Sequence, residues 1–208
     1  MLKRLTLLGA ILAGVAPATA QPIIDYDRFP TPYISAPISD PKTGDTYQLS
    51  AIALNGSVEA VMLQDVHDGV AGFVEGTYLI PLNLSDASTL ETRINGSVAI
   101  SWGCFACGRS HSRTTATVAF RDGTLKVVGY DHVYVDRMVP AVISCSVNLL
   151  NGRFVIEADD KDRQTGNGTD RAYPMQSLTY DAGFKAPQAC DRMQKYDEDW
   201  LDQNYPDR

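Results

Sequence analysis

Four tight-turn dipeptides constrain this chain most, because each lies between runs of apolar and β-branched residues. They are Asn55-Gly56, Asn95-Gly96, Asp122-Gly123 and Asn151-Gly152. Asparagine, aspartate and glycine tolerate the positive φ angles that a tight β-hairpin turn requires. Successive hairpins place neighbouring antiparallel strands side by side. The sequence therefore predicts a mainly β fold, an antiparallel meander or a small sandwich or barrel of about eight strands.

The segment 126–136 shows how such a strand divides its residues between two faces. Strict alternation places Val128, Tyr130, His132 and Tyr134 on one face, and mostly valines on the other. Both faces are partly apolar, as expected where one side of a sheet meets the core and the other side is also covered.

Helical periodicity occurs only near the C-terminus. Ala189, Met193, Tyr196 and Trp200 recur at spacings of four, three and four, so residues 187–203 are predicted to form one amphipathic α-helix packed on the sheet. By contrast, the five prolines of residues 21–45 predict an extended lead-in with few ladder hydrogen bonds. Residues 46–208 are then a single β-rich domain that includes the helix.

Residues 1–20 have the layout of a cleavable secretory signal: Lys3 and Arg4, an apolar run, and the small residues Ala18-Thr19-Ala20. The apolar run is too short to span a bilayer, which needs roughly 20 apolar residues. Cleavage lowers the net charge from −7 to about −9. This balance argues against nucleic acid and membrane-surface partners, since both are bound through lysine and arginine. We expect a periplasmic or secreted protein without membrane insertion.

All four cysteines, Cys104, Cys107, Cys145 and Cys190, follow the predicted signal. In an oxidising compartment an even number of cysteines indicates disulfides, each contributing roughly 2–4 kcal/mol. Three pairings are possible. We favour a long-range Cys145–Cys190 bridge that ties the terminal helix to the meander, with Cys104–Cys107 as a local bridge, while the crossed pairings remain open.

The Cys-x-x-Cys spacing of Cys104 and Cys107 also occurs in thiol-disulfide exchange proteins. There, a helix N-terminus lowers the pKa of the first thiol. Residues 108–113 are a poor helix start, so a structural staple is favoured over redox chemistry with Cys104 as the attacking thiol. A zinc site from the cysteines, or from three of them plus His111, would need a second close pair, which Cys145 and Cys190 do not form.

Hydrolytic chemistry has only weak signals. The three histidines, His67, His111 and His132, each have a carboxylate or hydroxyl neighbour, but no nucleophile elbow or paired metal-binding histidines occur. Asp131 and His132 are adjacent on a strand, so their side chains should point to opposite faces. A structural role is favoured for each histidine, and a hydrolase that uses acids with His132 remains open.

The acidic segment 157–170 raises the question of calcium, because interspersed Asp, Asn and Gly supply oxygen ligands on a curved loop. The register does not fit a calcium loop that starts at Asp160. Thr165 stands where glycine is needed, and Arg171 stands where a bidentate acid is needed. We therefore expect a solvated hairpin and loop, with calcium as the alternative and no cofactor.

One part of the chain resembles a known pattern. The stretch 119–131, AFRDGTLKVVGYD, followed by Asp136-Arg137 and by the segment 144–153, SCSVNLLNGR, resembles a family of small uncharacterised secreted proteins of Gram-negative bacteria. The match covers about 35 residues, and Cys145 is an addition to the family pattern. The resemblance implies exported β-structure and no particular chemistry.

Two function classes follow. The first is an exported, non-catalytic envelope protein with a binding or structural role toward an unknown protein or glycan. Aromatic residues that look exposed favour binding, although they could equally pack the sheet; they are Tyr26, Phe29, Tyr33, Tyr173 and Tyr180. The second class is an enzyme, with thiol-disulfide exchange at Cys104 and Cys107 as its main form. The sequence favours the first class.

Overall fold

A computed structural model describes residues 34–54, 57–67, 70–78, 89–104, 108, 110–139, 141–159, 161–175 and 186–206. Within these residues the chain is mainly β, and the predicted fold class is confirmed. The predicted signal 1–20 lies outside the described residues. The domain boundaries at residues 20 and 45 stay predictions.

A smaller sheet of four antiparallel strands, in the order β1-β2-β3-β4, comes first in the chain. Its strands are β1 Ile34–Ser39, β2 Thr46–Leu54, β3 Ser57–His67 and β4 Val70–Tyr78. β1 falls within the predicted extended lead-in and pairs with β2 along its whole length. Pro37 is compatible with this pairing because β1 is an edge strand. Proline lacks a backbone N–H, and an edge strand needs hydrogen bonds to a neighbour on one side only.

A larger sheet follows, in the order β11-β10-β9-β8-β7-β6-β5, with a short strand that pairs with β8 off this path. Its strands are β5 Thr89–Thr92, β6 Val98–Cys104, β7 Ser110–Arg121, β8 Thr124–Asp136, β9 Ala141–Asn148, β10 Arg153–Ala158, β11 Asp162–Asn167 and β12 Tyr173–Pro174. From β5 to β11, consecutive strands are antiparallel neighbours, so this part of the sheet is the predicted meander.

The described residues thus hold twelve strands, where about eight were expected. The strand β11 illustrates the difference, because its sequence DRQTGN contains no apolar residue and no hydrophobic alternation. It forms because β10 offers it a free edge, from Arg153 opposite Asn167 to Ala158 opposite Asp162. Pairing of this kind is a tertiary effect that overrides local propensity.

The turn dipeptides of the larger sheet form the predicted hairpins. Asp122 and Gly123 both have positive φ, 56° and 72°, and Gly152 has φ 77° between β9 and β10. The Asn55-Gly56 pair lies outside the described residues, but the strands that flank it pair as a hairpin from Leu54 opposite Ser57. The hairpins β5–β6, β7–β8 and β9–β10 all turn at the same end of the larger sheet, since alternate turns of a meander share an end.

One expectation about strand faces is corrected by a β-bulge. The register of β7 and β8 shifts between Thr117 and Val118, so that Gly129 lies opposite Thr117 and Val127 opposite Val118. Val128 therefore falls outside the alternation, and Val127 joins Tyr130 in the core. A bulge inserts one residue into a strand and exchanges the faces beyond it.

The core lies on the inner face of the larger sheet, where β1 and β2 pack against it. Ile38 and Leu49 are fully buried in one cluster with inner-face residues such as Ile100, Val118 and Ile156. The Tyr47 and Phe120 rings, one from each sheet, lie 5.1 Å apart. The two sheets therefore share one hydrophobic core.

The C-terminal segment also covers the inner face, but it is not the single α-helix that was predicted. A 3-10 helix, Gln188–Lys195, is followed by the α-helix α1, Glu198–Asn204. The break falls at Asp197, whose side chain accepts from the backbone N–H groups of Asp199 and Trp200 and so caps a new helix. The predicted apolar face is nevertheless correct, because Ala189, Met193, Tyr196 and Trp200 all pack on the core.

Candidate functional site

The favoured long-range disulfide is present. Cys145, in the middle of β9, is bonded to Cys190 in the 3-10 helix. Both cysteines are buried on the inner face of the larger sheet. The bridge therefore ties the C-terminal segment to the meander, and the crossed pairings that involve these two cysteines are wrong.

Cys104, the candidate attacking thiol, ends β6 and is also disulfide-bonded. Cys107 lies outside the described residues, so the local bridge stays a prediction. After a turn at Gly108, strand β7 begins at Ser110, where an exchange protein of the expected kind would begin a helix. A helix dipole that would lower the pKa of the Cys104 thiol is therefore missing from the residues described after it.

The zinc hypothesis is not supported. Three of the four cysteines are in disulfides, and a disulfide sulfur is not the thiolate that zinc binds. The described ranges contain no group of three or more His, Cys, Asp or Glu side chains that could hold a metal ion. His111 instead lies beside Arg137, with 3.4 Å between His111 Nδ1 and Arg137 Nε.

Asp131 and His132 lie on opposite faces, as expected. The Nδ1 atom of His132 is 2.9 Å from Thr114 Oγ1, and the imidazole lies parallel to the Tyr130 ring on the inner face. Burial lowers the pKa of His132 and raises the pKa of Tyr130 to about 12. Asp131 instead accepts a hydrogen bond from Ser146 Oγ at 2.6 Å on the outer face. This pair therefore forms no hydrolytic dyad.

The acidic segment forms the β10–β11 hairpin, and its carboxylates have separate partners. Glu157 pairs with Arg163 at 3.1 Å, and Asp162 with Lys195 at 2.7 Å. The hydrogen bond from Lys195 lowers the pKa of Asp162 below its usual value. Asp159 accepts a hydrogen bond from the backbone N–H of Val142 in β9. Asp160 lies outside the described residues.

Asp170, at the far end of the same segment, also has a structural task. Its two carboxylate oxygens accept the backbone N–H groups of Gln188 and Ala189, at 2.9 and 3.2 Å, so it holds the start of the 3-10 helix. The described acids of 157–170 thus stabilise the fold at several separate places. A solvated hairpin and loop accounts for their sequence without calcium.

Of the aromatic residues that favoured binding, the structure describes Tyr173, and this side chain packs inward. Tyr173 is half-buried and packs on the core beside Tyr130, and burial raises its pKa. Tyr26, Phe29, Tyr33 and Tyr180 lie outside the described residues. Their part in binding stays a prediction.

The outer face of the larger sheet carries a groove of about 690 Å³ that the sequence analysis did not identify. Its floor is made of two cross-strand rows of mainly small polar residues. One row is Thr117, Gly129, Asn148, Arg153 and Asn167, and the next is Asp131, Ser146, Val155 and Thr165. The first row runs from β7 to β11 and the second from β8 to β11, so the floor is as wide as five strands.

Four arginines line this groove: Arg93, Arg121, Arg153 and Arg163. We call it the arginine groove. Arg163 pairs with Glu157, and Arg121 donates to the Phe120 carbonyl oxygen at 2.7 Å. Arg93 and Arg153 are exposed, and their side chains have no ion pair or hydrogen bond with another described residue. A basic site therefore exists on a chain whose net charge is −7.

The sequence did contain a signal for this site. Arg121 directly precedes the Asp122-Gly123 turn, Arg153 directly follows Asn151-Gly152, and Arg93 lies two residues before Asn95. Because these three turns lie at the same end of a meander, arginines beside them are brought together. The net charge of the whole chain is acidic, and it does not show where arginines cluster locally.

Among the described residues, no helix is long and apolar enough to cross a membrane. In comparisons with protein-family models, with curated proteins and with solved structures, nothing matches this chain. The site must therefore be interpreted from its own chemistry.

Proposed function

We propose that this disulfide-stabilised protein is an exported, non-catalytic envelope protein that binds a polar partner, a protein or a glycan, in the arginine groove. The observation that carries the proposal is the groove itself. A volume of about 690 Å³ is in the range of known ligand sites, and its lining is rich in hydrogen-bonding side chains. Such a lining suits recognition of a ligand rich in polar groups.

Export is supported by the signal-like layout of residues 1–20 and by the Cys145–Cys190 disulfide. Disulfides of this kind form and persist in oxidising compartments such as the periplasm. The same compartment contains the polymers and proteins of the envelope. The proposed place of action is therefore the periplasm or the medium.

A non-catalytic role is favoured because the candidate reactive groups do not converge. Cys104 is bonded at the end of β6, His132 lies on the inner face and Asp131 on the outer face. General acid-base chemistry needs its groups within hydrogen-bond reach of one reacting atom. The arginine groove offers cations and amides, which orient a ligand, and its hydroxyl–carboxylate pair, Ser146 and Asp131, lies on the face opposite His132.

The test is a binding array of envelope oligosaccharides and peptides, probed with the wild-type protein and two variants. Thr165→Trp places an indole in the groove from an exposed position of β11. Gln203→Trp adds the same group on α1, away from the groove. We expect binding by the wild-type protein and by Gln203→Trp, and at least a tenfold loss with Thr165→Trp. An array without any bound probe, or binding that survives Thr165→Trp, contradicts the proposal.

A mass map of the protein purified from the periplasm tests export and the thiol alternative together. Free thiols are alkylated before non-reducing digestion, once directly and once after mild dithiothreitol. We expect a chain that begins after residue 20, with all four cysteines unmodified in both samples. Ready opening of Cys104 and Cys107, with the remaining fold intact, would instead favour thiol-disulfide exchange.

A further inference from the structure

We propose that the ligand of the arginine groove is an acidic glycan, a chain of sugars that carry carboxylate groups. This inference rests on the proposed binding function and names its ligand class. It starts from the two guanidinium groups of Arg93 and Arg153, which lack partners among the described residues. The groove that they line also presents hydroxyl and amide groups beside apolar side chains such as Leu150 and Val155.

The arginines select an anion. A guanidinium group binds a carboxylate through two parallel hydrogen bonds, and these are stronger than bonds between neutral groups. The groove has one carboxylate of its own, Asp131, which accepts a hydrogen bond from Ser146 Oγ and has no cationic partner among the described residues. Arg163 is already paired with Glu157. Arg93, Arg121 and Arg153 therefore leave an excess of positive charge for a ligand.

The spacing of the arginines selects a chain rather than a single small anion. Arg121 ends β7 and Arg153 begins β10, three strand positions away. At about 4.8 Å for each strand, this separation is about 14 Å across the sheet. A single carboxylate bound over one of these strands is about 14 Å from the other strand. A ligand with several separated carboxylates spans that distance along the cross-strand rows.

The polar floor favours a glycan over an acidic peptide. Thr117, Asn148, Thr165 and Asn167 offer donors and acceptors to the vicinal hydroxyl groups that cover a sugar chain. An extended peptide binds best by adding a strand to a sheet edge, with pockets for its alternate side chains. The arginine groove lies on a sheet face, where the backbone groups are already paired between strands.

The overall charge argues against a nucleic acid as the occupant. Nucleic acids carry dense charge and depend on many lysine and arginine contacts. A chain with a net charge of −7 repels such a ligand outside the groove. Sparse carboxylates, one for each sugar or fewer, fit a site with few arginines. Because the contacts are ionic and exposed, we expect affinity to fall as salt is raised.

The experiment is calorimetric titration of the mature protein with two uronic acid oligomers, oligogalacturonate and oligomannuronate. The fully methyl-esterified oligogalacturonate is the uncharged control. Poly-L-glutamate and inorganic phosphate are the acidic peptide and the small anion. We expect at least one uronic acid oligomer to bind at least tenfold more tightly than the ester, poly-L-glutamate and phosphate.

Variants then locate the binding. We expect Arg93→Gln and Arg153→Gln each to weaken binding of the uronic acid oligomer about tenfold. Arg153→Lys should retain only part of the wild-type affinity, because lysine lacks the two parallel N–H donors of a guanidinium group. Arg137→Gln, an exposed arginine outside the groove lining, is the matched control and should change nothing. Circular dichroism of each variant checks that the fold is kept.

Several outcomes overturn the inference. These are equal binding of the methyl ester, equal binding of poly-L-glutamate, no binding of either uronic acid oligomer, or an equal loss with Arg137→Gln. The binding function itself is judged separately by Thr165→Trp on the array. If the wild-type protein binds a neutral glycan or a peptide, and Thr165→Trp abolishes that binding, the binding function is supported and the acidic glycan is refuted.

Discussion

The two faces of the larger sheet are built from alternate residues of the same strands, yet they differ in what they bury. Along β10, Ile156 is fully buried on the inner face, while Arg153 is exposed and Val155 half-buried on the outer face. The inner face is covered by β1, β2 and the C-terminal segment. The outer face of the described residues carries the arginine groove. One strand therefore contributes to the core with one face and to the lining of the arginine groove with the other.

The comparison is tested most strongly by truncating one residue on each face. Ile156→Ala leaves a cavity in the shared core and should lower the free energy of unfolding by about 2–5 kcal/mol. Thr165→Ala, on the outer face of β11, should change it by only about 0.5 kcal/mol. Urea unfolding measures both. Similar losses on the two faces would refute the division of tasks.

The second test removes the bond that holds the cover on the inner face. The double change Cys145→Ser with Cys190→Ser should lower the free energy of unfolding by about 2–4 kcal/mol, because the unfolded chain is no longer constrained across 45 residues. Urea unfolding of the oxidised wild-type protein is the reference. A loss below about 1 kcal/mol would mean that the bridge contributes little to this packing.

The third test compares two turn glycines at the end of the larger sheet where the arginine groove lies. Gly152 has φ 77°, and an added Cβ would lie 2.6 Å from the Gly168 carbonyl oxygen. Gly152→Ala should therefore cost about 2–3 kcal/mol. Gly123 has φ 72° but open space around it, so Gly123→Ala should cost about 1 kcal/mol. Thermal unfolding compares the two variants. Equal losses of stability would show that the backbone strain of positive φ sets the cost and that the contact with Gly168 adds nothing.

The smallest expected effect concerns pH and the inner face. Burial lowers the pKa of His132 below 6.5, so the unfolded chain binds this proton more readily than the folded chain. The stability that comes from burying neutral His132 is fully present above pH 6.5 and is lost as pH falls through the pKa of the folded state. We expect His132→Gln to reduce the slope of stability against pH in this range. Unfolding curves from pH 7.5 to 5 provide the measurement, and an unchanged slope contradicts the assignment.

Much of the fold was predictable because turn chemistry is local. The Asp122-Gly123 and Asn151-Gly152 pairs marked hairpins correctly, and the periodic residues from Ala189 to Trp200 marked the buried face of the C-terminal segment. The helix break at Asp197 was missed because periodicity continues through it, although aspartate is a good N-cap. The bulge at Val128 was missed because alternation alone does not show an inserted residue.

The candidate site was less predictable, because its parts are distant in the chain. Arg93 and Arg163 are 70 positions apart and line one groove only through the strand order of the larger sheet. Conversely, Asp131 and His132 are neighbours in the chain and lie on opposite faces. The acidic segment likewise looked like a ligand loop, while its carboxylates bind Arg163, Lys195 and backbone N–H groups.

The sequence by itself determined the mainly β class, the hairpin turns, the amphipathic C-terminal segment and the expectation of disulfides, while the structure chose the Cys145–Cys190 pairing among three. These depend on φ preferences, on periodicity and on the count of cysteines, which are properties of short segments or of composition. Only the tertiary structure decided that β11 is a strand, that the acids are structural and that four arginines share a groove. Those features depend on which strands become neighbours, and that is set by the packing of the whole chain.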